Sequence, residues 1–435
     1  MNGMKIFLVT LLLSTAALAA QWKYEVVTDR TNGIYRCGER ATFTVTVLGT
    51  NGQAVVSGKI KATIDNFGEI VQTNVTIDLA KENPFRLSGT LAEPGFLRLE
   101  LPRAAAKEKR MPYAFGVGFE PERIVKGSPS PSDFDSFWAE AVRKLDETVP
   151  VDAQLTLLPE RCTKEFKFWR ISFASYGGTR AYGFLSMPTD ASAEKKYPVR
   201  FQVPAAGNGR ATWTNNMRGA PDAICMMVTV HPYDPPFNLD ELEKLFKANE
   251  ARLGGGYACA GIAGKNREDY YFYRALLGIN RAVNWLAARP EVDRSSFTYS
   301  GTSQGGGFGF YLLGLNHHFT KGVMYVPAIT DTMGYLRRRQ SGWPRPIEAQ
   351  GGDPARRAAA ERNAPYFDGA NFAARIRCPV RVAVGFSDTT CAPCAVYAAY
   401  NEIKVADKEI VHGIWMTHGC FREFYERLGK WQNAR

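Results

Sequence analysis

Gly301-Thr302-Ser303-Gln304-Gly305 places a serine midway between two glycines. A hydroxyl attacks a carbonyl carbon only when a base takes its proton. The flanks suit such a nucleophile. Ser295 to Ser300 reads as a short buried strand, and Gly306-Gly307-Phe308-Gly309-Phe310-Tyr311-Leu312-Leu313 continues as a helix. A strand, a sharp turn and a helix would lift the Ser303 hydroxyl above the edge of a sheet. The glycines permit the turn, and the helix start favours negative charge beside the serine. A Gly/Ser loop would show the same five residues, so it is the flanks that favour the nucleophile.

The base has to be a histidine placed where the fold brings it back to Ser303. His317 and His318 lie at the far end of the helix that Ser303 starts. His231 precedes the serine and fits the order nucleophile, acid, histidine badly. His412 lies inside the strand-like run Glu409 to Met416, whereas His418 follows it. Catalytic groups of open α/β sheets sit at the carboxyl ends of strands, so His418 is the expected base. By the same reasoning Asp388, directly after the strand-like run Pro379 to Phe386, is the expected acid. Asp331, after the apolar run Gly322 to Pro327, is its rival. An aspartate after a strand is more often a turn or cap residue, and Asp388 is preferred because its strand directly precedes the histidine strand.

These residues need a parallel sheet to carry them. From about residue 153, strand and helix patterns alternate: Tyr197 to Val203 and Ala223 to Val230 read as buried strands, and Glu268 to Ala288 as a long helix. That alternation predicts an α/β domain over 132–435, with a mostly parallel sheet and helices on both faces. A helix opens it at Ser132, with Phe134, Phe137, Trp138, Val142 and Leu145 as its apolar stripe. The stretches 231–265 and 333–370 fall where lids and substrate rims occur in such folds. Residues 119–131 read as a linker. Residues 21–118 carry short alternating runs, such as Ala41 to Val47 and Lys59 to Ile64, which predict a small Ig-like β-sandwich. An accessory role for it is favoured over sugar binding, since no aromatic platform is evident.

The chain resembles the acetyl xylan esterase / cephalosporin-C deacetylase family of carbohydrate esterases, which are α/β-hydrolases. The resemblance rests on Gly301 to Gly307, Asp388-Thr389-Thr390-Cys391-Ala392-Pro393, Val396-Tyr397-Ala398-Ala399-Tyr400-Asn401, Asp133-Phe134-Asp135-Ser136-Phe137-Trp138 and the run from Tyr270 to Asp293. It covers roughly residues 130 to 432. It implies a Ser303–Asp388–His418 triad and a serine carboxylesterase that deacetylates sugars without a cofactor or metal. The N–H groups of Gln304 and Ala206 would form the oxyanion hole. Where the family often has His-Gly-Tyr-Asn, this chain has Val203-Pro204-Ala205-Ala206-Gly207-Asn208, so Ala206 stands in place of the tyrosine. Ala392 departs from the family's Pro-Pro, and Cys394 is additional. Two other classes fit the residues: a general serine esterase or peptidase of this fold, and a non-catalytic glycan-binding protein. The family often forms rings, which makes a homo-oligomer an open expectation.

Composition sets the outer bounds. Residues 1–20 show a charged start, a short apolar core and a small-residue end, the pattern of a secretory signal peptide; the mature protein is expected to be periplasmic or secreted. No later run has the length of a membrane span. The net charge of +11 suits solubility or acidic polysaccharide, and export argues against nucleic acid. Eight cysteines in an oxidising compartment permit disulfides, including a strained Cys391–Cys394 bridge. Cys391, Cys394, His412 and His418 faintly suggest a zinc site, but their spacing is poor and His418 is wanted as the base.

Overall fold

A computed structural model describes residues 22–102, 113–208 and 219–434. The expected signal peptide lies outside the described residues.

The N-terminal strands are β1 (Lys23–Thr28), β2 (Ile34–Tyr35), β3 (Ala41–Leu48), β4 (Lys59–Asp65), β5 (Val71–Asp78), β6 (Phe85–Gly89), β7 (Gly95–Leu101) and β8 (Tyr113–Phe119). They form two sheets, ordered β1-β3-β6 and β2-β8-β7-β4-β5. Alternation is strict in β3, which buries every second residue, whereas β7 is buried almost throughout. Phe43, Val45 and Val47 of β3 share a core with Ile60 and Ile64 of β4 and with Leu97 and Leu99 of β7. This is the sandwich that the period-two pattern demands. The pairing is antiparallel except for the short β2–β8 contact.

The second unit is one sheet ordered β17-β16-β15-β14-β12-β13-β11-β10-β9. Its strands are β9 (Gln154–Leu157), β10 (Phe166–Ala174), β11 (Arg180–Pro188), β12 (Tyr197–Val203), β13 (Ile224–Val228), β14 (Val292–Thr302), β15 (Lys321–Tyr325), β16 (Val380–Gly385) and β17 (Lys408–Gly413). The strands from β12 to β17 pair in parallel, and β9 to β11 add an antiparallel flank that joins through β13.

Both faces of the parallel part are covered, and β13, buried at every residue, reads as a continuous apolar run. The helices are α1 (Phe134–Thr148), α2 (Leu239–Leu253), α3 (Tyr271–Ala287), α4 (Gln304–Leu315), α5 (Pro354–Asn363), α6 (Gly369–Ala373), α7 (Pro393–Glu402) and α8 (Arg422–Asn433). Alternate residues of one strand enter different cores. Ile224, Met226 and Val228 join the large core containing α3 and α4, while Cys225 and Met227 pack with Leu242 of α2. At the far end Val323 and Tyr325 meet Leu428 of α8. The expected strands and the long helix are present with ends shifted by a few residues; the helix expected from Ser132 begins at Phe134. Among the described residues no helix is long and apolar enough to cross a membrane.

Candidate active site

Strand β14 runs into α4 through Ser303, whose backbone is held at φ 57° and ψ −118°. L-residues rarely adopt this conformation, which marks a turn that the surrounding structure enforces. Two contacts enforce it. The Ser303 N–H donates to the Tyr325 carbonyl at 2.9 Å, and its own carbonyl accepts from Ala328 N–H at 3.0 Å. The glycines are required by proximity. A Cβ on Gly305 would lie 2.1 Å from the Val203 carbonyl oxygen, and one on Gly301 would lie 2.4 Å from that of Gly305. Only bare backbone lets α4 start this close to β12.

The three expected residues come together. His418 Nε2 is 3.0 Å from Ser303 Oγ, and His418 Nδ1 is 2.9 Å from Asp388 Oδ2. Asp388 follows β16, His418 follows β17, and Ser303 ends β14, so all three sit at the carboxyl ends of parallel strands. Asp388 is fully buried, and its other oxygen accepts from the Thr390 and Cys391 N–H groups at 2.8 and 2.9 Å. Those bonds fix the carboxylate and leave Oδ2 for the imidazole. An ionised carboxylate only accepts, so Nδ1 carries the ring proton and Nε2 is free to accept one from the serine.

The rival residues lie elsewhere. Asp331 is buried against Arg339, with Arg339 Nη2 2.8 Å from its Oδ2; burial raises its pKa despite that cation. It is half of a structural ion pair. His412 points from β17 onto Phe386, ring stacked on ring at 4.7 Å, and burial lowers its pKa. His317 and His318 are exposed at the end of α4. There they line a cavity of about 850 Å³ that includes none of Ser303, Asp388 or His418.

The expectations for sulfur need correcting. All eight cysteines are free. Cys394 Sγ donates to the Gln340 carbonyl at 3.5 Å, whereas the Cys391 sulfur lies within 4.8 Å of ligand atoms of Asp388 and His418, so the two have different surroundings. Burial, and then the Asp388 charge, push the Cys391 pKa well above its ordinary value. It is therefore a neutral neighbour of the serine and not a competing thiolate. The four residues weighed for zinc do not converge. Asp388, Cys391 and His418 do bring ligand atoms within 4.8 Å of one another. However, both His418 nitrogens are already engaged in the hydrogen-bond chain.

Sequence reasoning missed the support of the loop carrying Ala206. Tyr257 Oη accepts from Gly207 N–H at 3.1 Å and donates to Gln304 Oε1 at 2.7 Å, and Gln304 Nε2 donates to the Pro204 carbonyl at 3.3 Å. His231, set aside on order alone, is buried beneath this loop. Its Nε2 faces the Gly207 carbonyl at 2.9 Å, and its Nδ1 faces Tyr271 Oη at 2.8 Å. A carbonyl only accepts, so His231 is the neutral Nε2–H tautomer. The loop carrying Ala206 and the start of α4 are thus tied to each other through buried side chains. The stretches read as lids also brace the site: Gln340 and Arg345 donate to the Thr389 carbonyl, beside Asp388, at 3.0 and 3.1 Å.

Burial pushes the His231 pKa down to about 4. In the unfolded chain it protonates near its ordinary value of about 6.5, so acid favours unfolding. This contribution is complete above about pH 6.5 and is lost as pH falls towards 4, by about 3 kcal/mol in all. Urea unfolding at pH 7 and 4.5 is expected to show this loss, reduced in His231→Gln, which cannot take the proton. Parallel pH slopes for the two proteins would refute it.

A family described as acetyl xylan esterase (AXE1) matches residues 123–434. The chain belongs to the acetyl xylan esterase family. It is therefore a carboxylic ester hydrolase. The esterase is 27% identical over 336 residues to acetyl esterase Axe7A of Xylanibacter ruminicola, a match covering 76% of this chain and 73% of that one. Two solved structures share its fold. The acetyl xylan esterase from Paenibacillus sp. R4 gives a TM-score of 0.59 at 22% identity, covering 72% of this chain and 98% of that one. Acetyl xylan esterase 1 from Thermoanaerobacterium sp. JW/SL YS485 gives 0.58 at 20% identity, covering 72% and 96%. The esterase has the α/β-hydrolase fold, with the two N-terminal sheets added in front.

Proposed function

We propose that this esterase removes acetyl groups from acetylated xylan-type oligosaccharides or related sugars, using Ser303 as nucleophile, His418 as base and Asp388 as its orienting acid. The observation that carries the reading is the unbroken hydrogen-bond chain from Asp388 through His418 to Ser303, at 2.9 and 3.0 Å. The family supplies the ester chemistry, and the names of the relatives point to acetyl.

Ser303 Oγ attacks the ester carbonyl carbon while His418 Nε2 takes its proton. Asp388 stabilises the imidazolium that forms. The carbonyl oxygen becomes an oxyanion held by the N–H groups of Gln304 and Ala206. Collapse expels the sugar hydroxyl, which receives the proton from His418, and leaves an acetyl ester on Ser303. Water, deprotonated by His418, then releases acetate. Every proton has a carrier in this scheme, so no cofactor or metal enters it. Residues 1–20 would direct the protein out of the cytoplasm, where such polysaccharide lies.

In this reading the acyl group would lie between the loop of Ala206 and the start of α4, which Tyr257 joins. A closed wall there would reject added methylenes. The value of kcat/KM is expected to fall about 10-fold or more from p-nitrophenyl acetate to the butyrate, and again to the octanoate. Release of acetate from acetylated xylan, alongside fluorophosphonate labelling, would separate this activity from that of a peptidase. A flat or rising series would refute acetyl preference and leave a general serine esterase.

A further inference from the structure

The N-terminal sheets do not sit apart from the chemistry. They press on the two loops that carry Asp388 and His418. Phe96 of β7 meets Phe386 edge-on at 4.9 Å, and Phe115 of β8 meets Trp415 at 5.5 Å. Gly33 is against Ile414: a Cβ there would lie 2.7 Å from the Ile414 side chain. Gly116 of β8 comes closest, since a Cβ would lie 1.7 Å from the Phe386 carbonyl oxygen. Here backbone packs on backbone, two residues from the acid.

One buried hydroxyl joins the three segments. Ser387 Oγ accepts from Gly116 N–H at 3.2 Å and donates to the Ile414 carbonyl at 3.0 Å. The Ser387 N–H donates to the Met416 carbonyl at 3.0 Å. Ser387 directly precedes Asp388, while Ile414 and Met416 lead to His418. A serine hydroxyl has one proton to give and lone pairs to accept with, and this one uses both directions across parts of the chain remote in sequence.

Resting on the assignment of Ser303, Asp388 and His418 above, we infer that Ser387 is a positioning residue through which the N-terminal sheets hold the acid and base loops in register. It touches neither substrate nor the reacting atoms. It acts on the Asp388–His418 contact, which needs two loops from different strands to keep their spacing. Without the hydroxyl, the Ile414 carbonyl and the Gly116 N–H lose a buried partner, and the loops are free to shift. A misplacement of about 1 Å in a catalytic group costs on the order of 100-fold in rate.

The test uses the full chain with Ser387→Ala, Ser387→Cys, Gly116→Ala and the Ser387→Ala/Gly116→Ala double variant, with Ser303→Ala as control. Three readouts are taken: kcat and KM on p-nitrophenyl acetate, thermal melting, and the far-downfield proton resonance of the His418 Nδ1–H held by Asp388. Ser387→Ala is expected to melt cooperatively and to lose about 10- to 100-fold in kcat with KM nearly unchanged. Its downfield resonance should broaden or shift. Ser387→Cys, a weaker donor and acceptor, should recover part of the rate. The double variant should be little worse than the poorer single one, because a Cβ at 116, 1.7 Å from the Phe386 carbonyl oxygen, displaces the backbone whose N–H reaches Ser387. If Ser387→Ala fails to fold, Ser387→Cys carries the same comparison against the parent. Wild-type kcat and an unmoved resonance in the folded variants, with Ser303→Ala inactive, would overturn this inference alone. Normal turnover by Ser303→Ala would overturn both it and the assignment beneath it.

Discussion

Ser303→Ala is expected to lose on the order of 10⁶-fold in kcat on acetyl esters while remaining folded. The size follows from cooperation: without the oxygen, His418 and Asp388 have nothing to activate, and only the oxyanion donors and substrate binding remain. The fold should survive because alanine meets the same backbone demand as serine at φ 57°. The Tyr325 and Ala328 contacts, made by the main chain, stay in place. Steady-state kinetics together with circular dichroism would check this. Turnover near that of the parent by a folded variant would remove the nucleophile from the scheme.

The second large effect separates paired candidates. His418→Ala is expected to approach the Ser303→Ala loss, while His412→Ala keeps most activity and loses only the stacking on Phe386. Asp388→Asn is expected to lower kcat on the order of 10⁴-fold. An amide in that place can donate to Nδ1, which moves the ring proton to Nε2 and leaves no lone pair for the Ser303 proton. Asp331→Asn should act on stability instead, since it leaves Arg339 buried without its counter-charge; the cost is about 3–5 kcal/mol. Measuring kcat and unfolding free energy for all four variants distinguishes the roles. An active His418→Ala or Asp388→Asn beside an inactive His412→Ala or Asp331→Asn would reverse the assignment.

The local signals of this chain were readable because each depends on neighbours in sequence. The elbow glycines flank Ser303 directly, and the apolar runs before Asp388 and His418 are bounded by the residues themselves. The strand-end rule chose His418 over His412, and the structure places the first beside Ser303 and the second on Phe386. What stayed hidden depends on distant partners. His231 looked idle until Tyr271 and Gly207 were placed around it. Ser387 carries no local signal, because its partner Gly116 is 271 positions away. The direction of the flank was hidden for a related reason: β11 joins β13 only through residues about 40 positions apart. The cysteines left their pairing open, because an oxidising destination says only that bridges are permitted. Here Cys394 turns to Gln340, and Cys391 stays beside Asp388 and His418.

The backbone at Ser303 has an evolutionary consequence. A main chain at φ 57° and ψ −118° is one that glycine enters freely and serine does not. Glycine at that position would therefore relax the turn and remove the nucleophile in one step. Selection for durability and selection for turnover pull in opposite directions at this residue. A descendant released from cleaving esters would be expected to drift there first, keeping the scaffold and losing the reaction.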